Sequence, residues 1–306
     1  MTRKGLVSSF QDYSTKDGPG LRQTVFLKRC NLQCRWCSNP ETLRTGEELF
    51  FFPERITDPE LALEENSGAL TRSGEEWTID RDQLGKPSEV VEQNTLRLFE
   101  TVGEWIEAPE CARRLLRNKA FYDVSGGGVT FSGGEPMLQA DFIRDVEAIL
   151  ADQNVHVAID TAGNVPWTEF AKVLGGTDLF LYDIKAADPE LHKRLTGVGN
   201  QRILENGRRL ADEATEIWVR MVLVPGCNDD PTDLRQRFDI VAAMGEKVTR
   251  VDVLGYHSLG VGKYRRLGRP YDLGKVPSPD QALLDKALAY AGDLGLPVHY
   301  EAGVNA

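Results

Sequence analysis

The sequence predicts an α/β fold in which a parallel β-sheet is covered by helices. Short runs rich in β-branched residues alternate along the chain with segments of helical periodicity, which is the pattern of a parallel sheet with helical crossovers. The chain has 306 residues, of which 41% are hydrophobic, and this is enough to bury a substantial core. We therefore expect one large domain, or one domain with an insertion.

Six strands are predicted from the apolar and β-branched runs. They are Arg22–Leu27, Gly128–Ser132, His156–Asp160, Leu179–Ile184, Ile217–Val224 and Arg250–Leu254. Between the second and third of these, an apolar face recurs at helical spacing, formed by Leu138, Phe142, Val146, Ile149 and Leu150. We expect this helix to cover the sheet.

The link between the first two strands is unusually long. It runs for about a hundred residues and contains a polar, acid-rich stretch. We interpret residues 45–107 as an inserted subdomain, residues 1–44 as the start of the main domain and residues 108–306 as its remainder.

Composition limits the classes of function. The formal net charge of -11 gives no support to nucleic-acid binding through phosphate neutralisation. The first residues lack an apolar core of signal-peptide length, and no apolar run of about eighteen residues occurs, so no membrane association is expected. Few cysteines, mostly clustered, favour a reducing cytoplasm.

The strongest chemical signal is a cluster of three cysteines, Cys30, Cys34 and Cys37, spaced Cys-x3-Cys-x2-Cys. Thiolates are soft ligands for iron–sulfur clusters or zinc, and a structural zinc site normally needs four ligands. Three thiolates alone therefore indicate a [4Fe–4S] cluster with one open iron. The alternatives are three buried cysteines, or a zinc site completed by a distant histidine. Cys111 and Cys227 have no partner spacing and are expected to be structural.

Polar residues follow the other predicted strands. Because parallel strands place their carboxyl ends at one edge, these residues should meet the cysteines at a single rim. They are Ser132-Gly133-Gly134-Glu135-Pro136, Asp160-Thr161, Asp183-Ile184-Lys185, Arg220 and His257. Taken alone, Gly-Gly-Glu is equally compatible with a tight strand-to-helix turn.

Together these motifs make the sequence resemble the radical S-adenosylmethionine (SAM) enzymes and, within them, the activating enzymes of glycyl radical enzymes such as pyruvate formate-lyase. The resemblance covers most of the chain. It is carried by Asp17-Gly18-Pro19-Gly20-Leu21-Arg22 through Cys37-Ser38-Asn39-Pro40-Glu41, by Gly128 to Pro136, by Ile159-Asp160-Thr161-Ala162-Gly163, by Tyr182-Asp183-Ile184-Lys185, by Thr196-Gly197-Val198-Gly199-Asn200 and by Tyr256-His257.

The resemblance implies a partial (β/α)6 barrel in which Cys30, Cys34 and Cys37 hold one [4Fe–4S] cluster. SAM would chelate the fourth iron and be cleaved reductively to methionine and a 5′-deoxyadenosyl radical. It also implies contacts to SAM from Gly133, Gly134 and Glu135 at the amino group, from Lys185 at the carboxylate, from Arg220 and His257 at the methionyl or nucleoside part, and from Trp36 at the adenine.

The resemblance further implies a monovalent cation near SAM, held by the oxygens of Asp160, Thr161 and Asp183. Simpler interpretations remain open for several of these residues. Asp183 and Lys185 would form an ion pair at a strand end, Trp36 would serve packing alone, and Arg220 or His257 would be an ordinary hydrogen-bonding residue.

Two features depart from the family pattern. Several relatives carry a ferredoxin-like insertion with two further clusters, whereas this chain has no cysteine between Thr45 and Glu110. We therefore expect a degenerate insert held by its own packing, a single cluster, and direct reduction of that cluster by flavodoxin or ferredoxin. The second departure is Gly255, where relatives commonly have proline before Tyr256-His257, which weakens the assignment of His257.

Three functional hypotheses follow. The first is an activase whose radical removes a hydrogen atom from a glycine of a partner glycyl radical enzyme. The second is a radical SAM enzyme that acts directly on a small molecule in a biosynthetic pathway, with the altered insert as a lid. The third is an iron–sulfur electron carrier or scaffold, which would make the SAM-facing residues coincidental.

Overall fold

The predicted parallel sheet is present in the computed structural model, which describes residues 2–66 and 68–301. Thirteen strands form in this part of the chain: β1 (Lys4–Ser14), β2 (Arg22–Leu27), β3 (Glu48–Phe51), β4 (Leu70–Ser73), β5 (Glu76–Ile79), β6 (Phe99–Val102), β7 (Glu104–Glu107), β8 (Gly128–Gly133), β9 (His156–Thr161), β10 (Leu179–Asp183), β11 (Ile217–Leu223), β12 (Val248–Gly255) and β13 (Val298–Glu301). The α-helices of the same residues are α1 (Pro59–Glu65), α2 (Pro87–Gln93), α3 (Ala108–Leu115), α4 (Lys119–Ser125), α5 (Ala140–Ala151), α6 (Trp167–Val173), α7 (Pro189–Thr196), α8 (Gln201–Glu213), α9 (Pro231–Ala243), α10 (Val261–Arg266) and α11 (Gln281–Asp293).

Nine of the strands form one sheet in the order β13-β12-β11-β10-β9-β8-β2-β1-β7. The strands from β2 through β8 to β13 are parallel to their neighbours, whereas β1 is antiparallel to both β2 and β7. All six predicted strands are confirmed, with bounds that differ from the prediction by two residues at most. The count of six units is not confirmed, because β13 adds a seventh parallel strand.

The two faces of the sheet have different surroundings, as β11 illustrates. Its odd-numbered residues from Ile217 to Leu223 are fully buried in the main apolar core, whereas Trp218, Arg220 and Val222 point to the other face and are only half-buried. Strand geometry places successive side chains on opposite faces. One face therefore packs against helices, and the other is left for polar chemistry.

The predicted covering helix is α5. Its residues Phe142, Val146 and Leu150 are buried in the main core and Ile149 packs against that core. Leu138 packs against the same core from a 3-10 turn that precedes the helix. The apolar periodicity therefore identified the helix and its buried face correctly.

Local signals define where other helices begin and end. Asp188 and Asp230 precede the prolines that start α7 and α9, and each carboxylate accepts a hydrogen bond from a first-turn backbone N–H. α7 ends at Gly197, whose φ of 84° is left-handed. In the described part of the chain, no helix combines the length and apolar character that crossing a bilayer requires.

The segment predicted as an insert, residues 45–107, has an apolar cluster of its own. It contains the β3–β6 pair, the β4–β5 hairpin and two short helices, α1 and α2. The cluster is built from Leu49, Phe51, Ala62, Leu70, Leu98 and Phe99. β7, which falls inside the predicted range, belongs to the main sheet instead because it pairs with β1. The likeness of this segment to a ferredoxin stays a prediction.

Glu147 is a buried carboxylate on α5 that faces the turn before β10. It is 3% exposed and accepts a hydrogen bond of 2.7 Å from the Thr177 hydroxyl. Burial raises the pKa of Glu147 to about 7. Below pH 4.5 the residue is protonated in both states, and as the pH rises towards 7 only the unfolded state ionises, so the fold loses stability.

We expect Glu147→Gln to remove this loss, because glutamine keeps an acceptor for Thr177 and does not titrate. A pKa raised from 4.5 to about 7 corresponds to about 3 kcal/mol. Urea unfolding of the apoprotein should show that the variant gains up to this amount over the wild type between pH 5 and pH 8. Glu92→Gln, at an exposed position of α2, is the matched control. Parallel pH profiles for wild type and Glu147→Gln would contradict the assignment.

Candidate active site

The three cysteines lie in the loop that follows β2, and backbone hydrogen bonds hold this loop in place. Gln33 N–H donates to the Thr196 carbonyl at 2.7 Å, and Arg35 N–H donates to the Leu195 carbonyl at 3.0 Å. Cys30 N–H donates to the Leu43 carbonyl at 3.2 Å. The loop is thus fixed both to the end of α7 and to its own outgoing segment.

The thiols are half-buried and form no disulfide. Burial raises the pKa of Cys30 and Cys34 and raises that of Cys37 to about 12. In the metal-free protein these groups are therefore protonated at neutral pH, and ligation of iron requires each to lose a proton.

The three cysteines supply donors of the type that an iron–sulfur cluster binds. Across residues 2–66 and 68–301, no three His, Cys, Asp or Glu side chains converge closely enough to hold one metal ion. In a [4Fe–4S] cluster the cysteines bind different irons and need not converge on one point. The donor set therefore fits the cluster that the spacing predicts.

A cavity of about 200 Å³ joins the cysteines to the carboxyl ends of the central strands. Ten of the predicted site residues line it: Cys30, Cys34, Trp36, Cys37, Gly133, Gly134, Asp160, Asp183, Lys185 and Arg220. Other lining residues were not predicted, among them Ser38, Asn39, Thr42, Val222 and Leu254. The cavity therefore brings soft thiol ligands and groups of both charges to one place.

Two ion pairs organise the polar wall of this cavity. Arg220 contacts the Asp160 carboxylate at 3.1 Å, and Ser132 donates to the same carboxylate at 2.7 Å. Lys185 contacts the Asp183 carboxylate at 2.8 Å. Burial opposes the charge on Lys185, but the neighbouring Asp183 carboxylate outweighs it and raises the lysine pKa, and Asp160 raises the pKa of Arg220 in the same way. Both basic residues thus stay protonated in the cavity.

These contacts bear on the predicted cation site. The Asp160 and Asp183 carboxylates face Arg220 and Lys185, and the Thr161 hydroxyl donates to Glu135 at 2.6 Å. The simpler interpretation of Asp183 and Lys185 as an ion pair at a strand end describes the geometry. A monovalent cation held by these oxygens stays a prediction.

Gly133 and Gly134 have a steric reason to be glycines. A Cβ on Gly133 would lie 2.3 Å from the Leu27 carbonyl oxygen, and one on Gly134 would lie 2.3 Å from the Arg29 carbonyl oxygen. Gly133 also has a φ of 115°, which disfavours other residues. The end of β8 can therefore press directly against the chain that leads into Cys30.

Glu135 lies behind the cavity wall, and its carboxylate is engaged by the protein. The side chain is 1% exposed, and it accepts hydrogen bonds from the backbone N–H groups of Met137, Ala162 and Gly163 at 3.0–3.2 Å. Burial raises its pKa to about 7. In this structure Glu135 ties the turn after β8 to the loop after β9, and its predicted contact with an amino group stays a prediction.

Trp36 and His257 differ in their relation to the cavity. Trp36 lines it and belongs to an apolar cluster with Leu195, Val224 and Tyr256. His257 is half-buried and is not among the lining residues. Burial lowers the pKa of His257, and its Nδ1 atom has no hydrogen-bond partner among the described residues.

Sequence inspection missed the residues that fasten the segment after the cysteines. The Lys263 ammonium donates to Asn39 at 2.9 Å and to Glu41 at 2.5 Å. The Arg269 guanidinium donates to the Pro40 carbonyl and to Glu48. These partners lie more than 200 residues apart in sequence, and no local pattern signals them.

Comparison with known proteins places this site in a class. Residues 95–237 match the radical SAM superfamily, and residues 16–163 match a 4Fe-4S single cluster domain. The fold and the cysteine site therefore define a radical SAM protein, whose class implies an iron–sulfur cluster and SAM.

Relatives over nearly the whole chain narrow the class. The chain is 36% identical over 287 residues to the isethionate sulfite-lyase activating enzyme of Nitratidesulfovibrio vulgaris, with 89% of this chain and 90% of the relative covered. It is 34% identical over 302 residues to the pyruvate formate-lyase-activating enzyme of Staphylococcus aureus, and the match covers 96% of this chain and 98% of the relative. A solved domain of the pyruvate-formate lyase-activating enzyme from Bacteroides vulgatus superposes with a TM-score of 0.50 and 26% identity, covering 58% of this chain and 100% of that domain. The chain belongs to the activating enzymes of glycyl radical enzymes, within the radical SAM superfamily.

We expect Gly134→Ala to displace the cysteine loop, because the new methyl group would meet the Arg29 carbonyl at 2.3 Å and the Thr42 carbonyl at 2.9 Å. Overpacking of this kind costs about 1–3 kcal/mol. The iron retained after anaerobic reconstitution should fall well below the wild-type amount, and urea unfolding should show the lost stability. Gly175→Ala is the control, since its Cβ would meet nothing within 4 Å. Wild-type iron content and stability in Gly134→Ala would show that the close approach is unimportant.

Proposed function

We propose that this enzyme activates a partner glycyl radical enzyme by removing a hydrogen atom from one of its glycines. The observation that carries the proposal is the shared cavity, in which the three cysteines and the polar strand ends face the same space. The relatives reported above are named as activating enzymes of such partners, which favours a protein substrate over a small molecule. Their names refer to two different partner enzymes, isethionate sulfite-lyase and pyruvate formate-lyase.

The residues that line the cavity have different chemical roles in this proposal. Cys30, Cys34 and Cys37 would hold three irons of a [4Fe–4S] cluster and leave the fourth iron open. The cluster, once reduced by an external electron donor, and SAM would supply one-electron cleavage of a carbon–sulfur bond and the radical that takes the glycine hydrogen. Lys185 and Arg220 offer cations to a carboxylate, and Asp160 and Asp183 offer anions to an ammonium or to hydroxyl groups.

We propose that a single cluster serves the whole chain. No cysteine lies between Thr45 and Glu110, so the insert has no thiolates with which to bind another cluster. The electron would then pass directly from a flavodoxin or ferredoxin to the cluster at Cys30, Cys34 and Cys37, in the cytoplasm.

Anaerobic reconstitution tests the cluster and the cleavage together. With SAM and a reductant, the protein should contain about four irons per chain and should produce 5′-deoxyadenosine. About twelve irons per chain would refute the single-cluster proposal. Zinc in place of iron would refute the cofactor assignment altogether.

Cys34→Ala should abolish iron binding and 5′-deoxyadenosine formation together, because it removes one of three ligands. Cys111→Ala is the matched control: Cys111 is 0% exposed in the main core on α3, far in sequence from the loop. That variant should keep both properties at a stability cost of about 1–2 kcal/mol. Loss of iron in Cys111→Ala, with the fold retained by circular dichroism, would mean that the ligands are misassigned.

Mixing with candidate partners tests the substrate. The reconstituted enzyme, SAM, a reductant and a purified glycyl radical enzyme should give the EPR doublet of a glycyl radical, and Cys34→Ala should give none. A protein that cleaves SAM but yields no doublet with any candidate would favour the small-molecule hypothesis.

A further inference from the structure

A second cavity lies away from the candidate active site, between the β4–β5 hairpin and α10. It has a volume of about 630 Å³. One wall is β5 together with Phe51, and the facing wall includes Gly262, Arg265 and Arg266. None of the residues assigned to the active site lines this cleft.

The cleft runs along a free strand edge. Among the described residues β5 pairs only with β4, and all four of its residues, Glu76–Ile79, line the cleft. Successive side chains of a strand point to opposite faces. A cavity lined by four consecutive residues therefore meets the edge of the strand rather than one of its faces.

The backbone groups of β5 point into this space. Asp80 N–H donates to the Ala69 carbonyl at 2.7 Å, in the same register that pairs Ile79 with Leu70. Along an antiparallel ladder, hydrogen-bonded pairs of residues alternate with pairs that are not hydrogen-bonded. Since Asp80 is hydrogen-bonded to β4, so is Thr78, and the N–H and C=O groups of Ile79 and Trp77 point away from β4. No described residue hydrogen-bonds to these groups.

The facing wall offers positive charge and room for a chain. Arg265 is exposed and forms no ion pair with any described residue. Two acidic residues line the cleft, Glu54 and Glu76. Glu54 forms an ion pair with Arg266 at 3.1 Å. A Cβ on Gly262 would meet nothing within 4 Å, so α10 leaves open space on this side of the cleft.

The two walls are held at a fixed separation. Arg81, which follows β5, donates to the Leu49 carbonyl at 2.7 Å through one guanidinium nitrogen and to the Arg266 carbonyl at 2.7 Å through another. The cleft is therefore a preformed feature of the fold, and a ligand would not have to open it.

We propose that this cleft binds an extended segment of the protein substrate, which adds to β5 as a third strand and places a carboxylate against Arg265. The inference rests on the proposed function for the identity of the occupant. Strand addition satisfies free backbone groups through main-chain hydrogen bonds, while flanking side-chain contacts supply specificity. A two-stranded hairpin is marginally stable by itself, so a third strand would also stabilise β4 and β5.

A random dodecapeptide library, displayed and selected against the reconstituted enzyme, tests the cleft without knowledge of the partner. Selected peptides should carry Asp or Glu, and fluorescence anisotropy should show at least tenfold weaker binding to Arg265→Glu. Arg208→Glu, at an exposed position of α8, is the matched control and should bind within twofold of wild type. Absence of binders, or binders indifferent to Arg265→Glu, would overturn the proposal.

Hydrogen exchange supplies a readout that does not depend on a variant. Bound peptide should slow exchange at the Trp77 and Ile79 amides, whereas the Thr78 amide, which already faces β4, should change little. Protection elsewhere with no change at Trp77 and Ile79 would place the peptide outside the cleft and overturn the proposal. A dimer in sedimentation that Arg265→Glu dissolves would assign the edge to a second copy of the chain instead.

Activation assays separate this inference from the proposed function. In Arg265→Glu, SAM cleavage without a partner should match the wild type, while the KM for a full-length glycyl radical enzyme should rise about tenfold at unchanged kcat. Radical formation with a wild-type KM would overturn the docking site and leave the proposed function intact. If peptide binding depends on Arg265 but no candidate partner acquires a radical, the cleft binds peptides but its occupant is not the protein substrate. That result would overturn the proposed function as well.

Discussion

The active site depends on the parallel register of the central strands. Leu27 lies beside Gly133, Tyr182 beside Thr161, and Asp183 beside Arg220. Because side chains alternate, a slip of one residue in any strand would turn its polar group from the cavity to the helix-covered face. The apolar residues between the polar ones prevent this. Each large side chain buried against the helices contributes about 1.5–3 kcal/mol that a slipped strand would lose.

The active site also depends on the pairing of opposite charges in its cavity. Burial raises the pKa of Asp160, and the neighbouring Arg220 opposes that rise. Burial likewise disfavours the charged form of Lys185, and Asp183 restores it. An isolated buried charge is costly, whereas a pair with good geometry is tolerated. The cavity therefore carries both signs, which suits a ligand with both an ammonium and a carboxylate.

The features that could be predicted from the sequence are those whose signals lie close together in the chain. Apolar runs located β2 and β8 to β12, and cysteine spacing located the candidate metal ligands, because both signals lie within a few residues. β7 and β13 escaped because four residues carry too little periodicity, whereas the longer β1 escaped because it has few apolar residues. The contacts of Glu135, and the ties from Lys263 to Asn39 and Glu41, depend on residues far apart in the chain. Only packing of the complete fold reveals such contacts.

The same long-range contacts join the insert to the cysteine loop. Lys28, two residues before Cys30, is fully buried and contacts Glu48 at the start of β3 at 3.0 Å. Glu48 also accepts from Arg269, which holds Pro40 on the outgoing side of the loop. Removing one partner of a buried pair costs about 3–5 kcal/mol, so β3 and the loop are held as one unit. The cysteine-free segment is therefore part of the support of the cysteine loop. A chain that lost the segment would lose the partner of Lys28, so the segment has a structural role that needs no cysteines of its own.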